Sequence, residues 1–217
     1  MKNPIRTTLL LSVIVLLLTG CEKSDDQSRI VYHSVDKEYV FIRDLQTLLD
    51  SDDDISNYID SIINGLIDAE FISTGQKKFD LDNDMNFDIA FEIIDLNLFN
   101  PNGLPESFDT LAARVVPLSV EILDNSTFGY PDALDVGDEI FREGHWSKNS
   151  GVLGTFGNAG LFQGQGEKYL GIRFIKDDDF KYGWIKIYCS QHSDTLRIIE
   201  YAYNDIINSP IVAGQKE

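Results

Sequence analysis

Between residues 80 and 88 the chain reads Asp80-Leu81-Asp82-Asn83-Asp84-Met85-Asn86-Phe87-Asp88, with carboxylates at positions 1, 3, 5 and 9 of the stretch. In a loop, alternate side chains at the first three of these positions can converge on one centre. Asn86, at position 7, can add its backbone carbonyl. A set of hard oxygen donors suits Ca²⁺ better than a transition metal. Crowded without a cation, the carboxylates repel, at about 1 kcal/mol for a pair 4 Å apart even in bulk water. The expected site is therefore Asp80, Asp82, Asp84, Asn86 and Asp88 around one structural calcium. The competing account is a solvated acidic turn at the entrance to a strand.

Other chemistry is harder to place. His33, His145 and His192 stand in no zinc-ligand spacing. Cys189-Ser190-Gln191-His192 offers a Cys-x-x-His pair, but the strand pattern around Cys189 predicts burial. Neither a Gly-x-Ser-x-Gly elbow nor a phosphate-binding Gly-Lys-Ser/Thr loop is present. Asp and Glu total 36, so many that no glycosidase pair is singled out. No catalytic residue is assigned. Tyr182, Trp184, Tyr188, Tyr201 and Tyr203 could stack a sugar, although aromatics at alternate strand positions more often pack across strands.

The Asp80–Asp88 stretch resembles the short Asp-x-Asp-x-Asp-Gly-x-x-Asp calcium loops of extracellular β proteins. Asp80, Asp82, Asp84 and Asp88 match that pattern. Met85 stands where the glycine belongs, which disfavours a sharp turn with positive φ. The loop is not an EF-hand, because position 12 is Phe91 rather than Glu. A second series, Tyr169-Leu170-Gly171-Ile172-Arg173-Phe174, Tyr182-Gly183-Trp184-Ile185, Ile199-Glu200-Tyr201-Ala202-Tyr203 and Pro210-Ile211-Val212-Ala213-Gly214, resembles the end of a group of uncharacterised exported bacterial proteins. That resemblance implies a secreted, mainly-β module and supplies no catalytic residue.

The N-terminus carries an address. Lys2 and Arg6 precede an apolar run from Leu9 to Leu18, too short for the roughly 20 residues of a membrane-spanning helix and suited to a secretory signal peptide. The run ends in Leu18-Thr19-Gly20-Cys21, which resembles the lipobox of bacterial lipoproteins. The resemblance implies cleavage before Cys21, acylation of its thiol and anchoring in a membrane through several acyl chains. Residues 1–20 are then a lipoprotein signal peptide and 21–29 an acidic flexible tether. The tether is similar to export tags that carry some Gram-negative lipoproteins to the surface of the outer membrane. The expected location is the bacterial outer membrane, lipid-anchored and surface-exposed, with a glycan or protein partner there.

The elements that must position these residues follow from periodicity. Over its 217 residues the chain carries 18 basic side chains and a formal charge of −18, which argues against nucleic acid as a partner. Residues 30–217 can form one domain. Ile55, Tyr58, Ile59, Ile62, Ile63, Leu66 and Ile67 follow helical spacing behind Asp52, Asp53 and Asp54. From Phe87 the period becomes two: Phe87, Ile89, Phe91 and Ile93 alternate with Asp88, Ala90 and Glu92. Val115–Leu123 reads as a strand, with Pro117 suggesting an edge or a bulge. The last third reads as a three-stranded meander over 169–175, 181–189 and 195–203. The expected fold is mainly β, a twisted antiparallel two-sheet sandwich with one peripheral helix. The expected role is that of a calcium-stabilised surface lipoprotein with structural, adhesive or ligand-binding duty. The alternative is a lipid-anchored glycan hydrolase using an unidentified carboxylate pair.

Overall fold

The computed structural model describes residues 29–42, 69–73, 75–95, 111–155 and 159–217. The expected signal peptide with Cys21, the expected tether up to residue 28 and the helix expected over 55–67 lie outside the described residues.

The described chain is built from strands. The larger sheet has the order β2 (Ala69–Ser73), β1 (Ile30–Ile42), β13 (Thr195–Asn204), β12 (Asp179–Cys189), β11 (Glu167–Lys176), β6 (Val120–Asp124) and β9 (His145–Ser147), with β7 (Ala133–Leu134) also paired to β11. The smaller sheet runs β10 (Gly151–Thr155), β5 (Leu111–Pro117), β4 (Ile89–Asp95), β3 (Gln76–Phe79). A short ribbon joins β8 (Glu139–Ile140) to β14 (Ile211–Val212). Among the described residues every ladder is antiparallel except β1–β2, which is parallel.

Alternation along each strand explains why two sheets stack. Ile89, Phe91 and Ile93 from the smaller sheet meet Ile122, Leu170, Ile172, Ile185, Ile187 and Ile198 from the larger one, all in one buried cluster. This is the sandwich core. The larger sheet is also apolar on its opposite face. There Tyr182 and Trp184 pack with Leu134, Ile140, Ile211 and Ala213 under the β8–β14 ribbon. The middle of β12 is therefore covered on both faces, which is why Tyr182–Ile185 reads without a polar residue.

Two departures from simple strands matter for the site. The run over Val115–Leu123 is not one strand. Pro117 ends β5 in the smaller sheet, and Val120 opens β6 in the larger one, so Leu118 and Ser119 carry the chain from sheet to sheet. In β13, Ile187 pairs with Ile198 while Lys186 pairs with Glu200. The extra residue, Ile199, is a bulge that reverses which side chains face the core. It leaves Tyr201 packed against the sandwich core and Ala202 in the outer cluster.

Candidate metal centre

The acidic loop connects β3 to β4 and lies against the point where the chain changes sheets. Its last carboxylate is the anchor. Asp88 is buried, at 4% exposure. Its backbone N–H donates to the Phe79 carbonyl (2.8 Å), and its own carbonyl accepts from the N–H groups of Leu118 (2.8 Å) and Ser119 (3.0 Å). One carboxylate oxygen accepts the Leu81 N–H at 2.7 Å, and the other accepts the Ser119 hydroxyl. Asp88 thus ties the start of β4, the start of its own loop and the sheet crossing together. A buried carboxylate is tolerable where such donors replace water.

The rest of the loop winds on its own side chains. Asp80 accepts from the N–H groups of Asp84 (3.2 Å) and Met85 (2.9 Å). Asp82 also accepts from the Asp84 N–H, at 3.2 Å. Two residues take left-handed backbone: Asn83 at φ +59° and Met85 at φ +73°. Met85 therefore adopts the conformation that glycine supplies in the loops this stretch resembles. Its side chain gains nothing in return from packing, since it is 94% exposed.

Carboxylate oxygens of Asp80, Asp82 and Asp88 all lie within 4.8 Å of one another. Three of the four expected carboxylates are therefore brought together. Asp84 stands outside this group. Its carboxylate accepts the Asn86 backbone N–H at 2.8 Å and the Asn86 side-chain amide at 3.2 Å. The electrostatics match the geometry. Asp82 is held above the usual carboxylate range by partial burial and by the charges of Asp88, Asp84 and Asp80, against a lowering from the Asp84 N–H. Tyr201, on the core side of β13, is pushed up to about 12 by burial and by Tyr203, Asp80 and Asp88 among its neighbours. Three hard oxygen donors with mutual repulsion are a donor set that a metal ion fits.

Neither a protein-family model, nor a curated protein, nor a solved structure matches the chain.

Around the triad, Asp82, Asp84, Asp88 and Ser119 form one side of a cleft of ≈ 580 Å³ whose other side is the β11–β12 hairpin, with Phe174, Lys176, Phe180 and Lys181. The other candidates from the sequence fare differently. Tyr182 and Trp184 are fully buried, and Tyr188 and Tyr203 nearly so, so these four form no sugar-stacking surface. They are packing, as with Tyr169 edge-on to Trp184 at 5.3 Å. Cys189 is fully buried, and that burial pushes its thiol up to about 12, which removes it as a nucleophile at neutral pH.

A second acidic cleft, ≈ 640 Å³, gathers Asp124, Asp132, Asp138, Glu139, Glu143 and His145. Burial raises the Asp124 carboxyl above the usual range and nearby Asp132 adds to this, while a hydrogen bond from Ser147 and the charge of His145 oppose it. Sequence reasoning did not find this group, because its members come from several turns and share no spacing.

Proposed function

We propose that the protein is a lipid-anchored surface lipoprotein of the bacterial outer membrane whose β sandwich is fastened by one calcium ion. Asp80, Asp82 and Asp88 hold the ion, and Asp84, turned from Asn86, and the Asn86 carbonyl bring the oxygen donors to five, with a bidentate carboxylate or water making up the roughly six to eight that calcium takes. The observation that carries this reading is the convergence of three carboxylates within 4.8 Å where the chain crosses between sheets. The ion would offset the burial and like-charge repulsion that together raise Asp82 and would lock a loop already tied to Leu118 and Ser119. Its role is structural, in support of an adhesive or ligand-binding surface. Calorimetric titration with calcium tests the site: one ion should bind to the wild type and none to Asp80→Asn/Asp82→Asn. The anchor is tested separately. Mass spectrometry of membrane-extracted protein should find an acylated N-terminal peptide beginning at Cys21, and a soluble product cleaved elsewhere would refute it.

A second reading, glycan hydrolysis by a carboxylate pair, has one feature in its favour, the raised Asp124 in its acidic cleft. A carboxyl raised by burial is the kind of group that serves as a general acid in glycan hydrolysis. If turnover of bacterial or host glycans is detected, Asp124→Asn should abolish it without changing the calcium titration.

A further inference from the structure

We draw no further inference here: the strongest candidate, the cleft between the acidic β3–β4 loop and the β11–β12 hairpin with exposed Met85, Phe87 and Ile207 nearby, belongs to the site already described, and nothing in the structure shows what covers its apolar rim.

Discussion

Two regions of the molecule place carboxylates close to other charges and resolve the problem in opposite ways. On β13, Glu200 is 8% exposed and is surrounded by donors. It accepts from the Tyr32 hydroxyl and from Lys216 Nζ, each at 2.7 Å, and Lys186 Nζ lies 3.9 Å away. Burial alone would raise this carboxyl, but the bonds from Lys216 and Tyr32 and the charges of Lys216 and Lys186 hold it below the usual range. In the acidic loop, burial and like charges act together, and Asp82 is raised. The Glu200 site carries its own cations. The Asp80–Asp82–Asp88 site gathers anions around a point that a cation from solution can fill. The difference teaches that carboxylate crowding is informative only beside its local compensation: the first cluster is a clamp complete within the chain, and the second gathers three carboxylates that could hold a metal ion.

Substitutions sharpen this contrast, and the largest effect is expected at Asp88. Asp88→Ala strips the Leu81 N–H and the Ser119 hydroxyl of their acceptor next to the core. Leaving such donors unsatisfied should cost about 2–4 kcal/mol in chelator, read as a lower midpoint in urea unfolding, and more in calcium, where the variant also loses a ligand of the ion. The backbone bonds of residue 88 survive the change, so a loss below about 1 kcal/mol would show that they alone hold the junction.

The clamp should respond less, and with a definite pH dependence. Lys216→Ala leaves Glu200 with Tyr32 and the more distant Lys186. Because Lys216 is 45% exposed, the expected loss is only about 1–2 kcal/mol at neutral pH. The folded pKa of Glu200 is depressed, so its contribution is present above the ordinary carboxylate range and is lost as pH falls through the folded value. The gap between wild type and Lys216→Ala should therefore narrow as pH falls from the ordinary carboxylate range and close only below the depressed folded pKa of Glu200. A gap that stays constant down to that pH would assign the loss to packing of the C-terminal segment. Trp184 donates its indole N–H to the Gln215 carbonyl at 3.2 Å, so in a Trp146→Phe background, which removes the second tryptophan, emission reports on that segment.

The smallest change is a gain. Met85→Gly relieves left-handed backbone at an exposed position, worth about 1–2 kcal/mol, and returns part of it as entropy of the unfolded chain. A net stabilisation of about 0.5–1 kcal/mol should appear in urea unfolding. If the loop wraps an ion, the glycine variant should also bind calcium more tightly, since its φ at residue 85 costs nothing.

Much of this was legible in the sequence where local pattern and tertiary environment agree. The alternation over Phe87–Ile93 becomes β4 only from Ile89 onward, with Phe87 outside the strand and exposed, and the three apolar runs after residue 168 become β11, β12 and β13. The strands β7, β8, β9 and β14 were not legible. They are two or three residues long, and partners distant in the chain define them. Val115–Leu123 misled because both of its halves are apolar for different sheets, although Pro117 marked the break. The aromatic positions on β12 were ambiguous because alternation gives a face without saying what covers it. The acidic spacing pointed to the right loop. It could not show that Asp88 would reach Ser119, 31 residues away, or that Asp84 would turn to Asn86. Nor could it show that Met85 would accept a glycine conformation, since the bonds made by Asp80 to the loop N–H groups impose it.

The central claim, that the triad completes itself with calcium, is tested most directly by thermal unfolding of the wild type in millimolar calcium and in chelator, beside Asp82→Ala/Asp84→Ala. Binding to the folded state adds RT ln(1 + [Ca]/Kd), about 2.7 kcal/mol at 100-fold excess over Kd. Extracellular loops often bind with Kd on the order of 10⁻⁴–10⁻³ M, so a rise of a few degrees is expected in the wild type and none in the double variant. A wild-type melting temperature that is the same in calcium and in chelator, with no heat of binding, would contradict the account and leave the loop an acidic turn pinned by Asp88.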